Sequence, residues 1–266
     1  MLGAIIGDIV GSRFEQRNLK SKDFEFFARG CCPTDDSTMT LAVAQALLKC
    51  KLGWWGLERR AIASMQDLGR RYPLGYGESF RDWLRADRPK PYNSFGNGAA
   101  MRVSPCAWAA RSLEEALKLS DRVTAVSHDH PEAIKGARAV TTAIYLALHG
   151  ADQRQIRDAL RRDYYRLDLT LNEIRPDYYF DVSCQGSVPE ALEAFLEARD
   201  FEDTVRNAVS IGGDSDTIAA IAGSIGEAYF GIPAGMRDRA MRHLDSRQRD
   251  IVNAFENKYG KRVLTD

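Results

Sequence analysis

Two short segments carry the densest chemistry in this chain: Thr34-Asp35-Asp36-Ser37-Thr38 and Gly212-Gly213-Asp214-Ser215-Asp216-Thr217. Each gathers hard oxygen donors where a loop gives way to an apolar run. One reading is helix capping, because Asp, Ser and Thr are preferred N-caps and acids suit the first turn of a helix. A cap needs a single oxygen, however, and both segments hold two acids and a threonine. Carboxylates packed this closely repel unless a cation offsets them. Carboxylates, threonine oxygens and water suit Mg²⁺ or Mn²⁺. No Cys/His cluster accompanies them, which argues against zinc, and no twelve-residue loop ending in Glu marks an EF-hand. Brought together, the two segments would make a two-metal site, with ions about 3.5–4 Å apart.

Three further segments look unlike core. Asp8 lies in an apolar N-terminal run, where a charge is costly unless partnered. Glu15 follows seven residues later, so a continuous helix would place both on one face. Asn93-Ser94-Phe95-Gly96-Asn97-Gly98 is a glycine-rich loop that leads toward Met101 and Arg102 and is expected to enter a helix there. Such a loop can offer backbone N–H groups to a phosphate, although by itself it reads more readily as a turn. Ser127-His128-Asp129-His130-Pro131 holds two of the four histidines. A histidine pair before proline reads as a helix junction, not as a metal ligand set.

Helical periodicity must position these groups. Thr40 to Leu52, Leu113 to Val126, Glu132 to Leu148, Val188 to Ala198, Phe201 to Ser210 and Thr217 to Phe230 repeat apolar residues at helical spacing. No succession of alternating β-branched strands and no hairpin signature interrupts them. Turn chemistry falls at Pro73 to Gly77, Pro89 to Gly98, Gly150, and Gly231 to Pro233. Gly3, Gly7 and Gly11 share one helix face, and Ala219, Ala220, Ala222, Gly223, Ser224 and Gly226 crowd another, so the two segments are expected to pack closely at the centre. The GxxxGxxxG run lacks the GxGxxG spacing of a dinucleotide fingerprint. Nothing resembling a linker splits the chain, so one compact all-α domain over 1–266 is expected.

Composition narrows the partners. Lys plus Arg equals Asp plus Glu at 37 each, so no net field attracts nucleic acid or membrane. Arg154, Arg157, Arg161, Arg162 and Arg166 are spaced as the solvated face of a helix. The N-terminal run contains Asp8 and lacks a basic flank, so it reads as neither signal peptide nor membrane span. Five scattered cysteines (Cys31, Cys32, Cys50, Cys106 and Cys184) without CxxC spacing read as free thiols in a reducing cytoplasm.

Taken together and in order, GAIIGDIVGSRFE, TDDSTMTLAVAQALL, SFGNGAAMRVSP, SHDHPEAIKGARA and SIGGDSDTIAAIAGSIGEAYFG resemble the ADP-ribosylglycohydrolase family. The resemblance runs from the N-terminus to about Gly231, and the pairing of TDDST with GGDSDT is its most specific part. It implies a compact all-helical fold with two Mg²⁺ ions in a cleft, Mn²⁺ being an alternative. It implies Thr34, Asp35, Asp36, Asp214, Asp216 and Thr217 as metal ligands, with Asp216 as the bridge. Glu15 falls on the glutamate that lies beside the metals and acts in catalysis or gating. Gly96, Asn97, Gly98 and Met101 map near the pyrophosphate and ribose, and His128 maps to the substrate side of the cleft. Gly75 to Trp83 maps to the variable cleft wall. Cys184-Gln185-Gly186 looks like a family element without an assigned role.

The implied reaction is Mg²⁺-dependent hydrolysis of the glycosidic bond between ADP-ribose and a modified target. That target would be a side chain such as arginine or serine, or a related conjugate. Two ions would hold the ribose hydroxyls and orient a water at C1″, with Glu15, Asp35 and Asp36 as candidates for proton transfer. The competing readings are a non-catalytic ADP-ribose-binding module and a two-metal hydrolase of phosphate esters. A cytoplasmic monomer with no stable nucleic-acid or membrane partner is expected.

Overall fold

A computed structural model of the protein describes residues 1–50 and 52–260, so Lys51 and the last six residues of the expected 1–266 domain lie outside the described residues. The chain is all-α. Its helices are α1 (Leu2–Gly11), α2 (Asp35–Lys49), α3 (Leu57–Arg71), α4 (Glu78–Arg85), α5 (Ser104–Ala109), α6 (Leu113–Thr124) and α7 (Pro131–Leu148). They continue as α8 (Gln153–Asp163), α9 (Leu171–Ile174), α10 (Cys184–Leu196), α11 (Phe201–Val209), α12 (Ser215–Phe230), α13 (Ala234–His243) and α14 (Ser246–Tyr259). Among the described residues there is no strand, only an isolated bridge between Gly96 and Ser183. None of these helices is long and apolar enough to cross a membrane.

Side-chain caps set several helix starts. Ser112 accepts from Glu115 N, and Asp200 accepts from Asp203 N. Asp152 with Gln155 and Asp245 with Gln248 form capping boxes. Each such cap contributes about 1 kcal/mol. Caps by Thr34 and Ser183 also explain why α2 and α10 begin several residues before the apolar periodicity does, whereas α12 starts two residues early without a side-chain cap. Their first turns are polar, and hydrophobic spacing alone does not mark them.

Two helices form the axis. Every residue of α1 is buried, as expected for a helix apolar on all sides. Most of α12 is buried as well. The helices meet along the small-residue faces: a Cβ at Gly3 would run into Gly223 O, one at Gly7 into Ala219 O, and one at Gly11 into Ser215 O. The backbones therefore touch where glycine leaves no side chain between them. Ser215 Oγ donates to Gly11 O at 3.1 Å, which ties the end of α1 to the start of α12. At the other end, Gly3 N donates to Glu227 Oε2 at 2.8 Å, and the N-terminal amine pairs with the same carboxylate.

Three local expectations are corrected. Helix α1 stops at Gly11 and the chain turns through Phe14 N→Gly11 O and Arg17 N→Phe14 O, so Asp8 and Glu15 do not share a helix face. The 93–98 loop enters only a 3-10 turn at Asn97–Ala99; Met101 and Arg102 precede α5 without belonging to it. The arginine series is not a plain solvated face. Arg157 forms a two-pronged pair with the buried Glu193 at 2.7 and 2.9 Å, Arg161 and Arg162 pair with Asp168 and Asp163, and Arg166 lies beyond α8.

Candidate active site

The packing of α1 on α12 and α2 fixes the acidic groups. Asp8, on the last turn of α1, points at the start of α2. Its carboxylate accepts from Thr34 N at 2.9 Å, Thr34 Oγ1 at 2.7 Å, Ser37 N at 2.9 Å and the Ser37 hydroxyl. The buried charge that looked costly in sequence is thus met by the N-terminus of α2. Thr34 caps that helix through Asp36 N. Asp36 Oδ2 accepts from Thr217 Oγ1 at 3.2 Å, so the starts of α2 and α12 meet. Thr217 N donates to Asp216 Oδ1 at 3.0 Å.

The turn before α12 needs glycine. Gly212 and Gly213 have φ of +80° and +62°, a left-handed conformation that other residues adopt at a cost. Asn18 Oδ1 accepts from Gly213 N at 3.0 Å, and Lys20 Nζ donates to Ile211 O at 2.6 Å and Tyr178 O at 2.5 Å. The segment after α1 therefore braces the turn that presents Asp214 and Asp216.

The carboxylates fall into two groups that share Asp216. Asp8, Asp36 and Asp216 bring oxygens within 4.8 Å of one another, and so do Glu15, Asp214 and Asp216. Burial pushes Asp36 and Asp216 well above the ordinary carboxylate range, and the neighbouring acids push them further. Burial, with Asp8 next in effect, raises Asp35 to about 8. Burial raises Asp214 to about 6, against the hydrogen bond from Asn97. For Asp8, burial outweighs its hydrogen bonds, and the direction is again upward. Asp36 Oδ1 is buried with no hydrogen-bond partner. A buried acceptor left unpaired among like charges fits a hard divalent cation, and the donor set is oxygen throughout.

A cleft of about 460 Å³ opens onto this cluster. Glu15, Asp35, Asp36, Asp214, Asp216 and Thr217 line it, together with Gly96, Asn97, Gly98, Met101 and His128. The structure thus brings these sequence-selected residues to one cavity. Thr34 is the exception: it sits behind the cleft lining, its hydroxyl bonded to Asp8. From the expected wall at 75–83, Gly75, Gly77, Glu78, Ser79 and Phe80 face the cleft. Trp83 is instead buried, with its indole N–H on Val126 O at 3.0 Å.

The glycine-rich loop is held from two sides. Asn97 Nδ2 donates to Asp214 Oδ2 at 2.6 Å and to Ser187 Oγ at 3.0 Å, joining loop and acidic cluster directly. Asn97 N donates to Val182 O at 2.7 Å, Cys184 N to Phe95 O at 2.9 Å, and Cys184 Sγ to Gly96 O at 3.3 Å. Val182 and Cys184, where the chain enters α10, therefore clamp the 95–97 backbone beside the cleft; from the Cys184-Gln185-Gly186 segment only Cys184 makes these bonds. His130 caps α7 through its Nδ1, whereas His128 lines the cavity.

Sequence reasoning missed several residues. Asp8 joins the candidate cation group, and its signal was present as an acid in an apolar run. Ser94 and Arg102, from the glycine-rich segment singled out in the sequence, also line the cleft, and so do Tyr92, Phe180 and Val182. Nothing local distinguishes the last three from ordinary loop or core residues.

Comparison with known proteins agrees with the fold. The family model described as ADP-ribosylglycohydrolase matches residues 1–262. ADP-ribosylhydrolase ARH3 of Gallus gallus is 25% identical over 308 residues, covering 87% of this chain and 84% of that protein. ADP-ribosylarginine hydrolase Tri1 of Pseudomonas putida (strain GB-1) is 25% identical, covering 87% of this chain and 70% of its own length. A solved structure titled ADP-ribosylglycohydrolase-related protein complex shares the fold with a TM-score of 0.71 at 24% identity, covering 96% of this chain and 93% of that one. The chain belongs to the ADP-ribosylglycohydrolase family and is a hydrolase of ADP-ribosyl bonds.

Proposed function

We propose that this chain cleaves the glycosidic bond joining ADP-ribose to a modified side chain such as arginine or serine, or to a related conjugate, and releases ADP-ribose. The names of the relatives, ADP-ribosylhydrolase and ADP-ribosylarginine hydrolase, support this substrate class. The observation that carries the reading is the meeting of two distant acidic segments, sealed by Thr217 Oγ1 on Asp36 Oδ2 and leaving Asp36 Oδ1 unpaired. Asp35, Asp36, Asp214, Asp216 and Thr217 would hold two Mg²⁺ or Mn²⁺ ions, with Thr34 beside them and Asp216 shared between the two groups. When bound, such ions supply charge for orienting sugar hydroxyls and water.

The remaining work falls to the chain itself. Glycosidic cleavage builds oxocarbenium character at the anomeric carbon, and the attacking water must lose a proton. Glu15, like Asp35, is a partly exposed carboxylate turned into the cleft, which suits it to take that proton. Asp35 and Asp36 are the other candidates for deprotonating the water or protonating the leaving group. Gly96 and Gly98 keep the loop free of side chains where the ligand backbone approaches, Asn97 ties that loop to Asp214, and Met101 and His128 complete the wall. The chain is expected to act as one domain over 1–266, monomeric and cytoplasmic, without a nucleic-acid or membrane partner.

The test is incubation with arginine-, serine- and nucleic-acid-linked ADP-ribose, with and without Mg²⁺. Metal-dependent release of ADP-ribose from at least one conjugate is expected. Binding without release from any of them, or release of inorganic phosphate instead, would overturn the reading.

A further inference from the structure

Among the described residues, Arg102 is the largest side chain that is fully buried. No carboxylate pairs with it among the described residues. Its Nη2 donates to Ser127 Oγ at 2.7 Å and to Thr124 O at 3.4 Å, and its guanidinium carbon lies 5.6 Å from the Phe80 ring centroid. An arginine buried without a counter-charge is expensive, and packing alone would be served by an apolar residue. Its role is therefore to be sought in what it donates to.

Ser127 Oγ lies 2.8 Å from His128 Nδ1. A guanidinium has donors only, so the Ser127 oxygen accepts from Arg102. A serine oxygen can accept twice, but among the described residues His128 Nδ1 is the one acceptor within reach of the serine hydrogen, so the hydroxyl donates there and Nδ1 accepts. The ring proton is left on Nε2. That atom faces the cleft loop: a Cβ at Gly98 would stand 3.3 Å from it and one at Gly96 3.6 Å from it. Tyr92 and Phe80 pack against the ring, with centroids 5.6 and 5.9 Å away. Tyr92 N also donates to Ser127 O at 3.1 Å, which fixes the serine backbone. Burial, and then the Arg102 charge, hold His128 far below the usual histidine range, so the ring is neutral.

We infer that Arg102 and Ser127 are positioning residues that lock His128 in its Nε2–H tautomer, so that the ring presents a hydrogen-bond donor to a ligand oxygen beside Gly96 and Gly98. The part that concerns the ligand rests on the reading of the cleft as an ADP-ribose site; the tautomer does not. Second partners of this kind set which nitrogen of a histidine carries its proton.

The experiment is long-range nitrogen–proton NMR of the ¹⁵N-labelled protein, with the His128 signals assigned by their loss in His128→Gln. A protonated Nε2 and a bare Nδ1, unchanged between pH 8 and about pH 5.5, are expected. An Nδ1–H ring, or an imidazolium at neutral pH, would overturn the inference, and this wild-type readout needs neither the Ser127 nor the Arg102 variant to fold. In Ser127→Ala both tautomers should appear, and the Kd for ADP-ribose, measured calorimetrically with Mg²⁺ present, should rise about five- to tenfold. Arg102→Lys, which keeps the charge but loses the planar fork, should move both readouts the same way. Mixed tautomers with an unchanged Kd would overturn the ligand-facing role. Wild-type protein with the expected tautomer but no affinity for ADP-ribose would uphold the relay and overturn the proposed function instead.

Discussion

Thr217 Oγ1 donates to Asp36 Oδ2 at 3.2 Å across 181 residues of sequence. This bond joins the first turns of α2 and α12 and turns two helix caps into one acidic site. It predicts non-additive mutants. Asp36→Asn and Asp216→Asn should each lower turnover by at least about 10²-fold, and the double mutant should be little worse than the weaker single, because residues acting as a unit do not add. Steady-state kinetics on an ADP-ribosylated substrate checks this. Caps acting separately would give wild-type turnover and a stability loss of about 1 kcal/mol or less each.

Metal and pH should be linked at this site. The folded-state pKa values of Asp35 and Asp214 lie at about 8 and about 6, above the ordinary 3.8. The folded state therefore holds more protons than the unfolded chain from about pH 4 upward, and these two groups make the metal-free protein less stable as pH rises to about 8. A cation competes with those protons. Added Mg²⁺ should raise the Tm by several degrees at pH 8 and far less at pH 5, as measured by calorimetry with and without chelator. An equal rise at both values would contradict the assignment.

Glu15 should show its role by what it leaves intact. Glu15→Gln preserves shape and removes the charge, so turnover should drop by roughly 10²–10⁴ while ADP-ribose binding persists. Near-normal turnover, measured beside binding by titration calorimetry, would reduce Glu15 to a gating or structural residue.

The helix axis supplies a stability prediction. A methyl at Gly7 meets the Ala219 carbonyl and the adjoining backbone, neither of which can swing aside. Gly7→Ala should cost about 3 kcal/mol or more in urea unfolding, the upper end for overpacking. Gly235, on α13, has open space around its Cβ position, and Gly235→Ala should be neutral or stabilising by up to about 1 kcal/mol. Equal effects of the two changes would mean that α1 and α12 are not in backbone contact.

Much of this protein is determined locally and was legible in the sequence. Apolar residues at helical spacing define the long helices because burial of one face follows from that spacing alone. The oxygen-rich donor types at 34–36 and 214–217 would restrict any bound cation to a hard one whatever the fold. The glycine and alanine faces foretold a close contact because only small residues permit one. Tertiary structure decided which groups meet. Asp8 joins the site because α2 directs its first N–H groups at it. Glu15 arrives by a turn after α1, not along its face. Val182 and Cys184 clamp the 95–97 loop, and Arg102 reaches His128 through Ser127. Such relations depend on hydrogen bonds between residues tens to hundreds of positions apart, and no local pattern encodes the distance between them.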